Sequence, residues 1–307
     1  GIMERGSKTT SNSYVLWPAR IGPFTLVIGR HSKNMDTSSL PFSYLIESND
    51  ESILVPGVNL RSVGTIRDAQ KWPKRDRRKD PFLIDQVNFN LLSPYTIRKM
   101  FEGRDLLLKL KSVAGAVSSS YAYNNMLIKG PSLEKGIDMY QIGIDKFLGN
   151  SLIKRLENIQ FRSDRDLQER LVPGDSPGDG EWVDLAGLIT PLNLVDKLLD
   201  DIESGNVASL DAIAQEFINM HKNYYEWEWK WACERLEKEV GKPVSQFTAN
   251  DVINMVEKWK KSVIGLDKML YEDARKEFNL SSRTGFGIDG GEKIKKLDFE
   301  QVRGDFE

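Results

Sequence analysis

The sequence has 307 residues, with 43 Lys plus Arg against 45 Asp plus Glu and a formal net charge of -2, a balance that excludes a generic polyanion binder. At 40% hydrophobic and 29% charged residues it is an ordinary globular chain, long enough for about two domains. One cysteine, Cys233, excludes an internal disulfide framework, and two histidines argue against a histidine-rich metal site, so neither a metal nor a cofactor is expected. No apolar run approaches the roughly 20 residues that span a bilayer. Gly1 to Thr10 lacks the hydrophobic centre of a signal peptide, so the reading is a cytoplasmic chain without a membrane partner.

Residues 1–90 form a β-rich segment in which the β-prone runs Tyr14–Trp17, Phe24–Ile28, Phe42–Ile46 and Ser52–Val55 alternate with turn formers such as Gly22-Pro23 and Pro56-Gly57. Gly1–Thr10 reads as too polar to pack. Residues 91–172 form a helical subdomain. Ser93 caps a helix over 94–114 that Pro94 opens, and Ala116–Lys129, with its serine run and Asn124-Asn125, reads as a linker. A second helix starts near Pro131 and carries Gly136, Gly143 and Gly149, each costing about 1 kcal/mol relative to alanine, which implies close helix contact. Val172–Gly180, with two prolines and three glycines, is a surface loop and a subdomain boundary.

Residues 181–307 form a third part with a C-terminal tail. Pro191–Ser204 is a short helix. Ser209 then caps one long helix with Ile213, Phe217, Met220, Tyr224, Trp227 and Trp231 on a single seam, ended by Gly241 and Pro243. Thr248 caps a return helix with its own seam from Val252 to Leu270, predicting an antiparallel helical hairpin about 45 Å long at about 1.5 Å per residue. The glycines from Gly285 to Gly291 superficially suggest a phosphate loop, but one that follows a helix and not a strand. The fold class is α+β, mainly α: a small irregular β-rich N-terminal part followed by a helical bundle with a long antiparallel helical hairpin.

Chemistry concentrates between Arg61 and Asp80, where eight basic residues (Arg61, Arg67, Lys71, Lys74, Arg75, Arg77, Arg78 and Lys79) stand against three acidic ones, a local charge of +5. Guanidinium forks and ammonium groups suit a phosphorylated ligand, and Trp72 suits a base or sugar ring. The bland reading is a solvated basic loop. Nucleic acid is not expected, because the cations occupy one short segment without a binding motif. His31, Asp36 and Asp68 are the weak catalytic candidates, a histidine near carboxylates being able to move protons near neutral pH. HExxH, GxSxG, P-loop and CxxC patterns are absent. His221 and Cys233 read as packing residues. Tyr224 to Trp231 holds five aromatics in eight residues, with Tyr225 and Trp229 on a second stripe; the stripe implies either a helix buried on more than one side, or a homo-oligomer contact or carbohydrate-stacking surface.

Leu40-Pro-Phe-Ser-Tyr-Leu-Ile-Glu47, the run from Leu54 to Asp76, Asn90 to Ile97 and Lys146 to Lys154 together resemble a bacterial family of unknown function. Its members are longer, and their preceding region resembles the left-handed β-helix of trimeric hexapeptide-repeat acyltransferases and sugar-nucleotide pyrophosphorylases. The resemblance implies that this chain is the later portion of such a protein, with Tyr14–His31 as its last coil or the exit from it, and it supplies no catalytic residues. Two Ile-Gly pairs, Ile21-Gly22 and Ile28-Gly29, lie seven residues apart and miss the hexapeptide period. The expectation is a module of a nucleotidyltransferase-like or acyltransferase-like protein that binds a phosphorylated sugar or nucleotide. The alternative is a non-catalytic scaffold or oligomerisation module.

Overall fold

Turn formers every few residues leave room only for short strands, and the N-terminal part builds them in a repeating order. The computed structural model describes residues 1–80, 82–114, 118–276 and 291–303. Strands β1 (Ile2–Met3), β2 (Lys8–Thr9) and β3 (Tyr14–Val15) pair in parallel with β4 (Arg20–Ile21), β5 (Leu26–Ile28) and β6 (Arg30–His31), each on its own ladder. The second ladder runs on to β7 (Tyr44–Ser48). Ile2 lies opposite Arg20, Lys8 opposite Leu26 and Leu26 opposite Tyr44, steps of about 18 residues. The corners repeat with the strands. Gly6, Phe24 and Phe42 all take a left-handed backbone, with φ of 67°, 55° and 54°. The rings of Phe24 and Phe42 stack at 4.6 Å, and a Cβ at Gly6 would collide with the Phe24 ring. Gly1–Thr10, expected to be too polar to pack, is therefore a coil of this stack. Main-chain bonds such as Ile2 N–H to Ala19 O and Lys8 N–H to Thr25 O, both 2.9 Å, hold it, and they do not depend on side-chain polarity.

Strand β8 (Glu51–Val55) turns back antiparallel on β7 and extends the second ladder into a six-stranded sheet. Helix α1 (Val63–Arg75) and helix α2 (Pro94–Ala114) follow. The stretch read as a linker is instead a hairpin, β9 (Ser120–Tyr123) and β10 (Met126–Lys129), that completes the sheet. Asn124 and Asn125, at φ 43° and 62°, form its two-residue turn, the geometry that matches strand twist. Their side-chain amides donate to Asp36 O and Asn34 O, fastening the hairpin to the coils.

Helix α3 (Gly130–Leu156) is the axis of the helical part, and four other helices pack on it. Its glycines do mark close approaches: a Cβ at Gly143 would strike Met100 of α2, and one at Gly149 would strike Trp259. Helix α4 (Asp164–Leu171) precedes the Val172–Gly180 loop. A second hairpin, β11 (Trp182–Leu185) and β12 (Leu188–Pro191), leads into α5 (Leu192–Glu203). Ser209 caps the next helix as expected, its Oγ accepting from the Ala212 amide. The helix does not run through to Gly241. It divides at Asn223 into α6 (Leu210–Lys222) and α7 (Tyr224–Val240), because the Asn223 side-chain amide donates to the Asn219 carbonyl at 2.9 Å in competition with the main chain.

Thr248 and Asp251 form a capping box at the start of α8 (Ala249–Arg275). The expected lengthwise pairing of the return helix with α7 gives way to a different packing, in which both seams turn to α3. Trp231 meets Phe147 edge-on at 5.9 Å, and Trp259 covers Gly149 while its Nε1–H donates to Asn150 Oδ1 at 2.8 Å. Seam spacing identifies an apolar stripe without naming the helix that covers it. Helix α9 (Glu292–Arg303) follows; the glycine-rich stretch at 285–290 lies outside the described residues. The architecture is α+β, mainly α.

Candidate functional site

The basic segment folds mostly as α1, which is docked on the coil stack at one corner. Trp72 stacks on Phe24 with centroids 6.2 Å apart and planes 22° apart, and Lys8 donates to Asp68 Oδ2 at 2.5 Å. Asp273 of α8 accepts from the Val63 amide at 3.0 Å, placing a carboxylate at the positive end of the helix. Lys71, Lys74, Arg75 and Arg77 stand in solvent with no ion pair among the described residues. Arg61, at the end of the preceding turn, is half-buried. Arg67 approaches Asp68 at 3.7 Å. Arg78 is committed: its guanidinium donates to Asp76 and to the Asp85 carbonyl, and this holds the Asp76 carboxyl at about 2. Trp72 is partly buried against the core, so its packing fixes where the cations sit.

The structure separates the three acid–base candidates. His31 is fully buried, with Nε2 3.2 Å from the Ile28 carbonyl and Nδ1 2.8 Å from Ser52 Oγ. Nε2 donates to the carbonyl, and burial lowers the ring's pKa, which favours the neutral form in which Nδ1 accepts from Ser52. Asp36 Oδ1 accepts from both the amide and the hydroxyl of Ser38, closing a turn. Asp68 lies on α1, and the hydrogen bond from Lys8, aided by the charges of Lys8, Arg67 and Lys71, keeps its carboxyl below the usual range. Among the described residues no hydrogen bond or ion pair links His31, Asp36 and Asp68 to one another.

A denser electrostatic site lies at the edge of the coils and has no counterpart in the sequence reading. Glu4, only 9% exposed, accepts from the Tyr95 hydroxyl at 2.7 Å and lies 3.1 Å from Lys99 and 3.7 Å from Arg20. Next to it Arg5 donates through Nη2 to the Asn88 carbonyl at 2.6 Å, while Nη1, 3.6 Å from Asp184, makes no hydrogen bond. Burial, and then the bond to Glu4, pushes the Tyr95 phenol well above its ordinary value, so it acts only as a donor. A cavity of about 470 Å³, lined by Arg20, Tyr95, Asp184 and Gly187 among others, opens beside the cluster. The charges are mutually satisfied and no activated nucleophile is among them, so the arrangement orients and joins segments; it does not set up a proton transfer.

The partners at this junction come from distant stretches of chain, and the comparisons divide along the same line. Residues 1–111 match a Domain of unknown function (DUF4954). Residues 163–307 match a second Domain of unknown function (DUF6819). No curated protein and no solved structure matches the chain. The two matching regions interlock where Arg5 meets Asp184, where the Asn88 amide donates to Gly187 O at 2.9 Å, and where Arg98 meets Glu181 at 2.9 Å. Sequence reasoning missed the cluster because Glu4 and Lys99 are 95 positions apart and neither sits in a charge run.

The aromatic stripe is resolved by burial. Trp229 is 4% exposed and its Nε1–H donates to Leu171 O at 3.0 Å, so α7 is covered on two sides and only Tyr225 reaches solvent. Cys233 is buried beside it, its thiol pushed up to about 12 by burial, which suits packing and not nucleophilic attack. No helix among the described residues is long and apolar enough to cross a membrane.

Proposed function

We propose that the chain is the later portion of a β-helical protein of the sugar-nucleotide or acyl-transfer kind and that its 1–90 segment binds a phosphorylated sugar or nucleotide through α1. The helical segments 91–172 and 181–307 serve in this reading as its support. The observation that carries it is the row of Lys71, Lys74 and Arg75 on a helix pinned by Trp72, with Arg77 just past its end, all exposed and without an ion pair among the described residues. Parallel ladders with steps of about 18 residues, three hexapeptides to a turn, support the β-helical part of the reading. Cations that pay no internal debt to a carboxylate are free to neutralise phosphate oxygens. Arg67 and Arg61 flank the row, and Arg78 keeps the following turn in place through Asp76.

A thermal-shift and calorimetric screen of nucleotide sugars and sugar phosphates tests this. At a ligand concentration of about 100 times Kd, binding stabilises the fold by roughly 2.7 kcal/mol. The Lys71→Ala/Lys74→Ala variant should lose that response while its unliganded melting temperature stays put. An equal response in the variant, or none in the parent chain, removes the proposal.

A further inference from the structure

Helix α5 lies at the surface. Only Leu198 of its residues is buried, and it joins α6 in packing on β12. Leu199 and Ile202 of α5 and Leu210 at the start of α6 are 55%, 37% and 61% exposed. Around them stand six carboxylates, Asp196, Asp200, Asp201, Glu203, Asp211 and Glu216, against Lys197 and Lys222, a local charge of -4 over 192–222. None of the six makes an ion pair among the described residues. Asp196, Leu199, Asp200 and Glu203 follow the helical spacing of three and four residues, so charge and apolar surface share one outward stripe.

The basic segment carries the reciprocal pattern. Lys71, Lys74 and Arg75 follow the same spacing on α1, exposed and without an ion pair among the described residues. Beyond Arg77, Phe82 and Ile84 are 40% and 45% exposed. The +5 charge of 61–80 thus has beside it the apolar surface that the -4 face also has. Within one chain no ion pair or hydrogen bond among the described residues joins 61–84 to 192–222. Each face matches the other in charge and in apolar character, and a second copy of the chain supplies what each lacks.

We propose that the chain self-associates through these two faces, α1 and the following Phe82–Ile84 stretch of one copy lying along the α5–α6 face of the next. The faces differ, so the contact is heterologous and either extends from copy to copy or closes into a ring. Two helical stripes bury less than the roughly 1,200 Å² of a stable complex, so charge sets the strength of the contact and salt weakens it. The contact uses cations assigned above to a phosphorylated ligand, but its other half, the α5–α6 face, takes no part in that site.

Light scattering and sedimentation velocity on the full chain over a concentration series test the assignment. Mass should rise with concentration at about 0.1 M salt and return to that of one chain at about 1 M, where the screening length has fallen from about 10 Å to about 3 Å. Asp200→Lys/Glu203→Lys and Lys71→Glu/Lys74→Glu should each remain monomeric, and a mixture of the two should associate, because each then offers the face that the other lacks. Leu199→Ser/Ile202→Ser keeps every charge and should weaken association by about tenfold, the size of the apolar contact removed. A parent chain that stays monomeric at low salt, an assembly unmoved by Asp200→Lys/Glu203→Lys, or one that Leu199→Ser/Ile202→Ser leaves at full strength overturns the proposal. The melting response to nucleotide sugars separates the two readings: a parent chain that associates without responding removes the ligand site alone, and one that responds without associating removes the self-contact alone.

Discussion

Helix α1 holds Lys71, Lys74 and Arg75 in solvent, with Arg77 just beyond its end, whereas the junction at the coil edge buries Arg5 and Lys99 among Glu4, Asp184 and the Tyr95 hydroxyl. The first region is rich in charge and spends almost none of it on the fold. The second has few charges, drawn from four separate stretches of chain, and each is committed to a partner. Density of charge in sequence therefore locates surface available to a ligand, while structural electrostatics arise from single residues that tertiary folding brings together. Desolvation explains the contrast: an ion taken out of water must be paired, and an ion left in water need not be.

That contrast can be broken most directly at Lys99. Lys99→Ala leaves Glu4 buried with a weakened set of partners and should cost about 3–5 kcal/mol in denaturant unfolding, with Lys99→Met restoring only the packing. A loss below about 1 kcal/mol would mean that water already screens the cluster.

Glu228 sharpens the comparison as a buried acid without a committed cation. Its folded-state pKa of about 7 stands above the ordinary 4.5, so below pH 4.5 it costs nothing, and stability is lost as pH rises from there through about 7. Glu228→Gln should remove that slope and raise stability at pH 8 by about 3 kcal/mol, read from urea midpoints across pH. A parallel pH profile in the variant would show that the carboxyl is solvated.

The smallest effect belongs to α1. Replacing Lys71 and Lys74 with alanine should change unfolding free energy by no more than about 0.5 kcal/mol, since both are exposed and Lys71 adds only its charge to the Lys8–Asp68 pair. A larger loss would put those cations in the same class as Lys99.

Much of the helical scaffold was legible because capping and periodicity are local. Ser93 and Pro94 marked the start of α2, Ser209 and Thr248 the starts of α6 and α8, and Gly143 and Gly149 announced the tight approaches on α3. The β elements were less legible. Ser120–Lys129 carries strand residues on both sides of Asn124-Asn125, yet its serines and asparagines equally describe a loop, and only pairing of β10 with β8 decides the matter. The coil that begins at Ile2 was invisible because main-chain hydrogen bonds, not side-chain pattern, hold it.

The sequence by itself determined where helices begin, which faces are apolar, and that cations crowd between Arg61 and Lys79, because these depend on near neighbours along the chain. Only tertiary structure decided that α3 receives both seams, that His31 is a satisfied core histidine, and that Glu4 and Glu228 lie buried, the one paired with Lys99 and the other accepting from Ser151. Burial and partnership are properties of distance in space, and those distances are set by packing between segments far apart in sequence.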